Sequence, residues 1–309
     1  MSEKTRQLPR LLREICAEHG ISIHGFSGDW IFEMDHQGKK AFVIGYKFPN
    51  NDAAMEQICD DKCALSDVLT HNQIPCVPHT YFMRPDNQYY MGTGGDWEKM
   101  MELLRRYGKV VCKSNSGSGG TNVFKASTMR ELEAAVCHIF SVTQDLAIAP
   151  YVEVENEYRC IVCEGQVRLI YRKLRPFVVG DGKRSAAELI AAKTFAKLET
   201  DDGADLSYVP ADGEKFEVSW KHNIGRGASP EIIEDPAVSE PLVAFALKAA
   251  GTVGARFASV DVIQTAEGLK VLEINSGVMM EGFAAASAEN YARAKAIYGD
   301  ALLAYFARA

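Results

Sequence analysis

The segment at residues 256–275 most constrains the fold, because it predicts a β-hairpin that carries carboxylates on one face. A strand with alternating apolar residues leads into a short turn, and a second such strand returns from it. A three-residue turn at 266–268, with Gly268 in the left-handed conformation, would place Asp261 opposite Glu273. The other face would then pair apolar residues: Val260 with Ile274, and Val262 with Leu272.

The carboxylate face of this hairpin predicts a metal site. Asp261 and Glu273 would repel each other unless a positive charge lay nearby. Asn275 shares the face of Glu273, because side chains two apart in a strand point the same way. Three oxygen ligands on a rigid face suit Mg²⁺. The alternative is a solvated polar face of an edge hairpin, but Ile263 and Val271 would also lie there, which favours the metal site.

A second feature is a short apolar strand that ends at Lys113 and runs into a loop of glycine and hydroxyl residues, from Ser116 to Gly120. Glycines let backbone N–H groups approach phosphate oxygens, and the lysine adds a positive charge. The order of a Walker loop is absent, because the lysine precedes the glycines. Taken alone, the segment fits a phosphate-binding loop and a flexible hairpin loop equally well.

Hydrophobic periodicity along the rest of the chain predicts an α+β fold with mixed or antiparallel sheets. A hydroxyl at Ser127 followed by Glu131 indicates a helix start there. Helices are predicted at 5–19, 52–70, 97–107, 127–140, 185–198, 240–253 and 288–307. Strands besides the hairpin are predicted at 22–25, 30–34, 41–46, 110–113, 123–125, 146–152, 158–163 and 167–172.

Composition excludes several classes of protein. The formal net charge of -7 argues against nucleic acid as the main partner. The polar start at residues 1–10 lacks the apolar core of a signal peptide, and no apolar run is long enough for a bilayer, so we expect a cytoplasmic protein without a membrane partner. The eight cysteines are then expected to be reduced. Cys160 and Cys163 lie in an apolar strand, which favours buried side chains over zinc or redox chemistry.

Taken in order, the motifs resemble those of the ATP-grasp superfamily. Besides Lys113, its loop and the hairpin, they include Asp61-Lys62 at the start of a helix that ends at 72–75, Glu157-Tyr158-Arg159, and the Val-Val-Gly-Asp-Gly-Lys segment at 178–183. The group most similar contains cyanophycin synthetase, the bifunctional glutathione-synthesising ligases and the ribosomal-protein glutamate ligases; D-alanine–D-alanine ligase is a more distant relative. The resemblance implies an ATP-grasp fold, in which two α+β units clamp ATP.

The resemblance also implies roles for individual residues. ATP would be bound by Lys62 and Lys113, by the mobile loop of Ser116, Gly117, Ser118, Gly119 and Gly120, by the hinge at Tyr151 and Val152, and by Glu157 at the ribose. One or two Mg²⁺ ions, with Mn²⁺ as a substitute, would be bound by Asp261, Glu273 and Asn275. Arg226, with Lys113, would stabilise the transferring phosphoryl group. Substrate contacts would come from Arg159, Lys173, Asn223, Ser276, Gly277 and Glu281, and Glu281 is also the suggested base.

The chain departs from the family pattern in three places. Ala149 and Pro150 stand where relatives often have an acidic residue before the hinge, so adenine contacts are expected from the backbone. The run from Ser276 to Gly282 replaces a small residue, Pro and Gly beside the acceptor site. The N-terminal region is too short for a complete α/β domain. We therefore expect an N-terminal region and first part of the core at 1–87, a lid at 88–152 and a metal-binding unit at 153–309.

The expected activity is ATP-dependent ligation of a carboxylate, from an amino acid or short peptide, to an amine through an acyl phosphate. The amine is expected to be another amino acid. The alternatives are an ATP-grasp kinase, another acyl-phosphate-forming enzyme without ligation, or a nucleotide-binding module that has lost catalysis. The absence of G-x-G-x-x-G after an early strand sets aside a dinucleotide-dependent dehydrogenase. The sequence leaves open the substrates, the carboxyl that reacts, the product length and homo-oligomer formation.

Overall fold

The computed structural model describes residues 6–84, 97–117, 119–192, 204–222, 224 and 227–308. Within these residues the strands form four sheets, all with antiparallel pairing between neighbouring strands. Two of the sheets carry the residues singled out by the sequence. The α+β class is confirmed.

The N-terminal part is helix α1, Gln7–His19, followed by a three-stranded sheet of β1 (Ser22–Phe26), β2 (Ile31–His36) and β3 (Lys39–Ile44). The apolar stripe of α1 is buried, as its periodicity predicts. It packs with the last helix, α9 (Ala288–Ala307), in one core cluster with the inner face of this sheet. The sheet and the two helices are thereby joined to the C-terminal part of the chain.

The helix predicted at 52–70 is two helices, α2 (Ala53–Asp60) and α3 (Lys62–His71). Asp61 breaks it, because this residue is extended and its side chain accepts a hydrogen bond from the backbone N–H of Ala64. An aspartate in that position caps a helix start and so favours a new helix over continuation of the old one. The break places Lys62 in the first turn of α3.

A four-stranded sheet of order β4-β7-β5-β6, called here the lid sheet, follows. Its strands are β4 (Thr80–Met83), β5 (Val110–Lys113), β6 (Val123–Ala126) and β7 (Asp145–Pro150). Helices α4 (Trp97–Tyr107) and α5 (Met129–Val142) pack on one face. The N-cap of α5 is Thr128, in a capping box with Glu131, and not Ser127 as predicted. Because side chains alternate along a strand, Lys113 lies on the face that the helices leave free.

The C-terminal sheet has the order β12-β9-β8-β13-β14. Its strands are β8 (Asn156–Cys163), β9 (Gln166–Leu174), β12 (Ser229–Ile232), β13 (Phe257–Thr265) and β14 (Gly268–Asn275). Helix α7 (Pro236–Thr252) packs on one face, while α9 and the short helix α8 (Glu281–Ala284) contribute to the core on the other. A small unit of β10 (Phe177–Val179), β11 (Lys215–Glu217) and α6 (Ala186–Ala192) lies beside it. The helix predicted at 185–198 corresponds to α6, and the residues predicted for its last part, 193–198, lie outside the described residues.

The predicted hairpin register is correct near the carboxylates and wrong towards the turn. Asp261 is paired with Glu273, but a bulge follows, so that Val262 faces Val271 and not Leu272. The turn therefore has two residues between Thr265 and Gly268, and Gly268 has φ +113. The reason for the bulge is packing, because the extra residue, Leu272, turns towards an apolar cluster shared with the lid sheet.

Among the described residues, no helix is long and apolar enough to cross a bilayer. All eight cysteines are free, and Cys160 and Cys163 are buried in β8 as predicted.

Candidate functional site

Lys113 ends β5 on the free face of the lid sheet. Its side chain is only 9% exposed, and it has no hydrogen-bond partner in the part of the chain that the structure describes. Burial, together with the like charge of Lys62, lowers the pKa of Lys113 to about 8, although Glu273 acts in the opposite direction. A buried cation that lacks a paired anion is unfavourable, and a negatively charged ligand would remove that penalty.

The glycine loop is held against the first turn of α3. The Nζ of Lys62 donates hydrogen bonds to the carbonyl oxygens of Asn115 (3.0 Å) and Gly117 (2.5 Å). The backbone N–H of Cys63 donates to the side-chain oxygen of Asn115, at 3.1 Å. Ser116 donates its hydroxyl to Asp145, at 2.8 Å. The loop therefore starts at a fixed point beside both lysines.

Beyond this fixed start, Gly119 and Gly120 both have φ +68, a conformation that glycine adopts without strain. The predicted loop residue Ser118 lies outside the described residues.

Asp261 is buried at the centre of a charged network on the C-terminal sheet. Arg159 donates two hydrogen bonds of 2.7 Å to its carboxylate, and the Nζ of Lys173 donates a third of 2.7 Å. The same Nζ donates to Glu157, at 2.6 Å. The register explains the pairing, because Arg159 on β8 is directly opposite Asp261 on β13. The predicted ribose, metal and substrate residues thus form one connected group.

The network keeps its members charged. Burial acts to raise the pKa of Asp261, but Arg159 and Lys173 outweigh it and hold that pKa well below the ordinary range. The pKa values of Arg159 and Lys173 are raised, because the attraction of neighbouring carboxylates exceeds the effect of burial. Two cations and the central carboxylate therefore stabilise one another in an apolar setting.

Glu273 and Asn275 lie beside Asp261 on the same strand face, with the Asn275 amide donating to Glu273 at 3.1 Å. Within the described residues, no three or more His, Cys, Asp or Glu side chains cluster as a metal site. The oxygen donors nevertheless suit Mg²⁺, since Glu273 and Asn275 offer free lone pairs and Asp261 retains one of about four. These residues fit the ion if it arrives with other oxygen ligands.

The predicted adenine hinge joins the two sheets. Val152 packs in the cluster formed by Val77, Ala149, Ile263 and Leu272, which spans the lid sheet and the C-terminal hairpin.

Tyr151, the other predicted hinge residue, has its ring in contact with the indole of Trp220, at 5.8 Å between centroids. Its backbone N–H donates to the carbonyl of Lys109, at 2.9 Å. A backbone segment that packs against an apolar cluster is the kind of element that lies beside a planar base in a binding site.

The segment predicted to border the acceptor site follows β14. Ser276 is fully buried and its hydroxyl has no partner in the described chain. Gly277 forms a β-bridge with Lys47. Both oxygens of Glu281 accept from backbone N–H groups of α1, at 2.6 Å from Gln7 and 3.0 Å from Leu8. The structure therefore uses Glu281 to hold the start of α1, which ties the N-terminal part to this segment.

Sequence reasoning missed two histidines near the site. His222 approaches Glu157, with 3.3 Å between Nδ1 and Oε2. His79 lies on the free face of the lid sheet with both ring nitrogens buried and without a partner among the described residues. Burial and the charges of Lys113 and Lys62 lower its pKa well below the ordinary value. Neither has a local motif, so only the fold reveals them. The predicted residues Asn223 and Arg226 lie outside the described residues.

Known proteins are similar to this chain in sequence. Residues 212–297 match the model of the RimK-like ATP-grasp domain. A probable alpha-L-glutamate ligase of Rhodopirellula baltica is 24% identical over 229 residues, covering 74% of this chain and 44% of the relative. A tetrahydromethanopterin:alpha-L-glutamate ligase of Methanococcus maripaludis is 30% identical over 191 residues, covering 60% of this chain and 51% of the relative.

A solved structure matches nearly the whole chain. The bifunctional glutathione synthetase of Pasteurella multocida has a TM-score of 0.57 at 18% identity, covering 96% of this chain and 44% of that one. The chain therefore has the ATP-grasp fold, as the sequence resemblance predicts. It spans about half the length of the sequence relatives that it matches.

Proposed function

We propose that the chain is a MgATP-dependent carboxylate–amine ligase. In this reaction a substrate carboxylate takes the γ-phosphoryl group of ATP to give an acyl phosphate and ADP. An amine then attacks the acyl carbon, phosphate leaves, and the amine proton passes to a base. Relatives named as ligases of this type support the proposal.

The single observation that carries the proposal is the buried, unpaired Lys113 beside Lys62, on the free face of the lid sheet and within electrostatic range of Glu273. Two like charges held close together in a buried place need an anion with several charges. A polyphosphate that bridges the lid sheet and the carboxylate strand is such an anion.

Each group then has a definable task. Lys113 and Lys62 would bind the phosphates, Lys62 exchanging its loop carbonyls for phosphate oxygens. Glu273, Asn275 and Asp261 would hold Mg²⁺, which neutralises charge on the phosphoryl oxygens when bound. Arg159 and Lys173 keep Asp261 ionised and fixed in position. Closure of the glycine loop over the site would exclude water from the acyl phosphate.

The substrates are proposed from the relatives. Because both relatives described above are named as alpha-L-glutamate ligases, L-glutamate is the first amine to test. The carboxylate donor would be an amino acid or short peptide, bound near Ser276 and Gly277. The eight free cysteines fit a reducing compartment, and we propose the cytoplasm.

The test is phosphate release from MgATP by the purified protein with L-glutamate and a panel of amino acid and peptide carboxylates, with mass spectrometry of products. A ligase gives a product of the summed mass minus water, and both release and product disappear in Glu273→Ala. Matched Glu289→Ala, a change at an exposed glutamate of α9, should leave the rate unchanged. ADP without an amide would instead indicate a kinase or an acyl-phosphate-forming enzyme. An absence of MgATP binding would refute the proposal.

A further inference from the structure

His222 lies between a carboxylate and a guanidinium on the hinge side of the site. Its Nδ1 is 3.3 Å from Oε2 of Glu157, and its side chain is only 8% exposed. On the other edge of the ring, Nε of Arg175 donates to Nε2, at 3.2 Å. The imidazole therefore joins these two charged side chains without solvent between them.

These contacts fix the tautomer of the ring. Arginine can only donate, so Nε2 of His222 must be the unprotonated acceptor. The ring hydrogen is then on Nδ1, where it points at Glu157. The neutral imidazole of His222 thus accepts a hydrogen bond at Nε2 and presents a single N–H, on Nδ1, to the carboxylate.

Arg175 extends this link to the hinge. Its Nη2 donates to the backbone carbonyl of Val154, at 3.0 Å, and its Nη1 donates to Glu217, at 3.0 Å. Val154 lies between the hinge residue Val152 and the start of β8, and it packs in the same apolar cluster as Val152. The position of Glu157 is thereby tied to the position of the hinge backbone through two side chains.

Glu157 keeps unused hydrogen-bond acceptor positions despite these contacts. Lys173 occupies one lone pair on Oε1 and His222 occupies one on Oε2. A carboxylate accepts about four hydrogen bonds, so two acceptor positions remain. Lys173 and His222 fix the direction in which they point. Acceptors held in this way suit a pair of neighbouring hydroxyls.

We infer that His222 and Arg175 are positioning residues for the nucleotide. They fix Glu157 relative to the hinge backbone, so that a nucleoside can place its base against the hinge while its ribose hydroxyls contact Glu157. The inference rests on the proposed binding of MgATP at this site and adds residues to it that no sequence motif marks.

The experiment is calorimetric binding of MgATP, 2′-deoxyATP and 3′-deoxyATP to the wild type and to His222 variants. His222→Ala removes both links. His222→Asn places an amide N–H near the Nδ1 position, whereas His222→Gln places its amide near Nε2. His19→Asn, at an exposed histidine of α1, is the matched control. Thermal unfolding without nucleotide measures any general loss of stability.

His222→Ala and His222→Gln are expected to bind MgATP about tenfold more weakly. His222→Asn keeps the contact with Glu157 but loses the one with Arg175, so its affinity should lie between those of the wild type and His222→Ala. Loss of the ribose hydroxyl that contacts Glu157 should weaken wild-type binding about tenfold, but should cost His222→Ala only about twofold, because coupled groups are not additive.

Additive losses, or MgATP affinity in His222→Ala within twofold of wild type, would overturn the inference. If the wild type binds MgATP and Lys113→Met does not, a negative result at His222 concerns this inference alone. If the wild type does not bind MgATP, both this inference and the proposed function fail.

Discussion

Replacement of Lys113 by Met tests whether the buried positive charge of this side chain serves to bind an anionic ligand. The structure lowers the pKa of Lys113 to about 8 from an ordinary value of 10.5, with burial as the main cause. That difference means that the fold disfavours the charged amine by about 3 kcal/mol at pH 7. Methionine has a similar length and no charge, so Lys113→Met should increase the free energy of unfolding by up to about 3 kcal/mol while MgATP binding falls at least a hundredfold.

The pH dependence follows from the same pKa, with opposite signs for folding and binding. Between pH 8 and 10.5 the unfolded chain binds more protons at this position than the folded chain, so stability of the free wild type rises with pH over that window. Binding of an anion needs the protonated amine. The protonated fraction is about nine tenths at pH 7 and about one tenth at pH 9, so MgATP affinity should fall about tenfold between them.

Urea unfolding and calorimetric binding at pH 7, 8 and 9 measure both effects in wild type and Lys113→Met. The variant should show a shallower pH dependence of stability. Lys62, whose pKa is also lowered by burial, leaves a residual slope. Equal MgATP affinity of the wild type at pH 7 and 9, or a variant that is less stable than wild type at pH 7, would refute the reasoning.

Three further substitutions test the surroundings of the site. Asp261→Asn leaves the buried cations Arg159 and Lys173 without their shared carboxylate, and should lower the free energy of unfolding by about 3–5 kcal/mol in urea titrations. Because the pKa of Asp261 is lowered in the folded state, its carboxylate stabilises the wild type above the ordinary aspartate pKa, and this stabilisation is lost as pH falls. If the wild type and Asp261→Asn lost stability equally at acid pH, the reasoning would be contradicted. Glu281→Gln should cost about 1 kcal/mol, measured by thermal unfolding, through the α1 N–H groups, with MgATP affinity unchanged; a large loss of affinity would mean that Glu281 also serves the site. Asn115→Ala removes one of the hydrogen bonds that hold the glycine loop to α3 and leaves those of Lys62, and it should increase protease cleavage at the loop in the absence of nucleotide but not in its presence.

The sequence is sufficient to predict those parts of the site that depend on the alternation of side chains along a strand and on local signals. A period of two on both strands places Asp261 and Glu273 on one face of the hairpin, and a slip by one residue would expose the apolar face. The bulge at Leu272 could not be foreseen in this way. It depends on an apolar cluster formed with Val77 and Ala149, which are far away in the sequence.

The charged network shows the same limit more clearly. Arg159 is opposite Asp261 because β8 and β13 are neighbours, yet about a hundred residues separate them and no turn fixes their register. Lys173 and His222 reach Glu157 for similar reasons. A strand sequence reports which face a side chain occupies, but the neighbour on the next strand is decided by topology.

One missed feature was present in the sequence. Thr128 and Glu131 have the three-residue spacing of a capping box, whereas Ser127 and Glu131 do not. The spacing therefore distinguishes two adjacent hydroxyl residues that helix propensity alone does not separate.

The order of ligand binding can be argued from the charges that face one another across the site. Among the described side chains of the two lysines, the Asp261 network and Glu273, the cations outnumber the carboxylates by one: Lys62, Lys113, Arg159 and Lys173 against Glu157, Asp261 and Glu273. A free Mg²⁺ ion would approach a region that is already positive, and Asp261 would have to share an oxygen that two cations hold. The phosphates of ATP reverse that balance and bring oxygen ligands of their own.

We therefore expect Mg²⁺ to bind with the nucleotide and not before it. Calorimetric titration of MgCl₂ into the protein alone should give no measurable heat at low millimolar concentrations, whereas the same titration in saturating ADP should show a site that Glu273→Ala removes. Tight Mg²⁺ binding by the nucleotide-free protein would show that Asp261 is released from Arg159 and Lys173 more easily than their bond lengths of 2.7 Å indicate. In that case the network would be a metal site in its own right, and the positive balance would not control the order of binding.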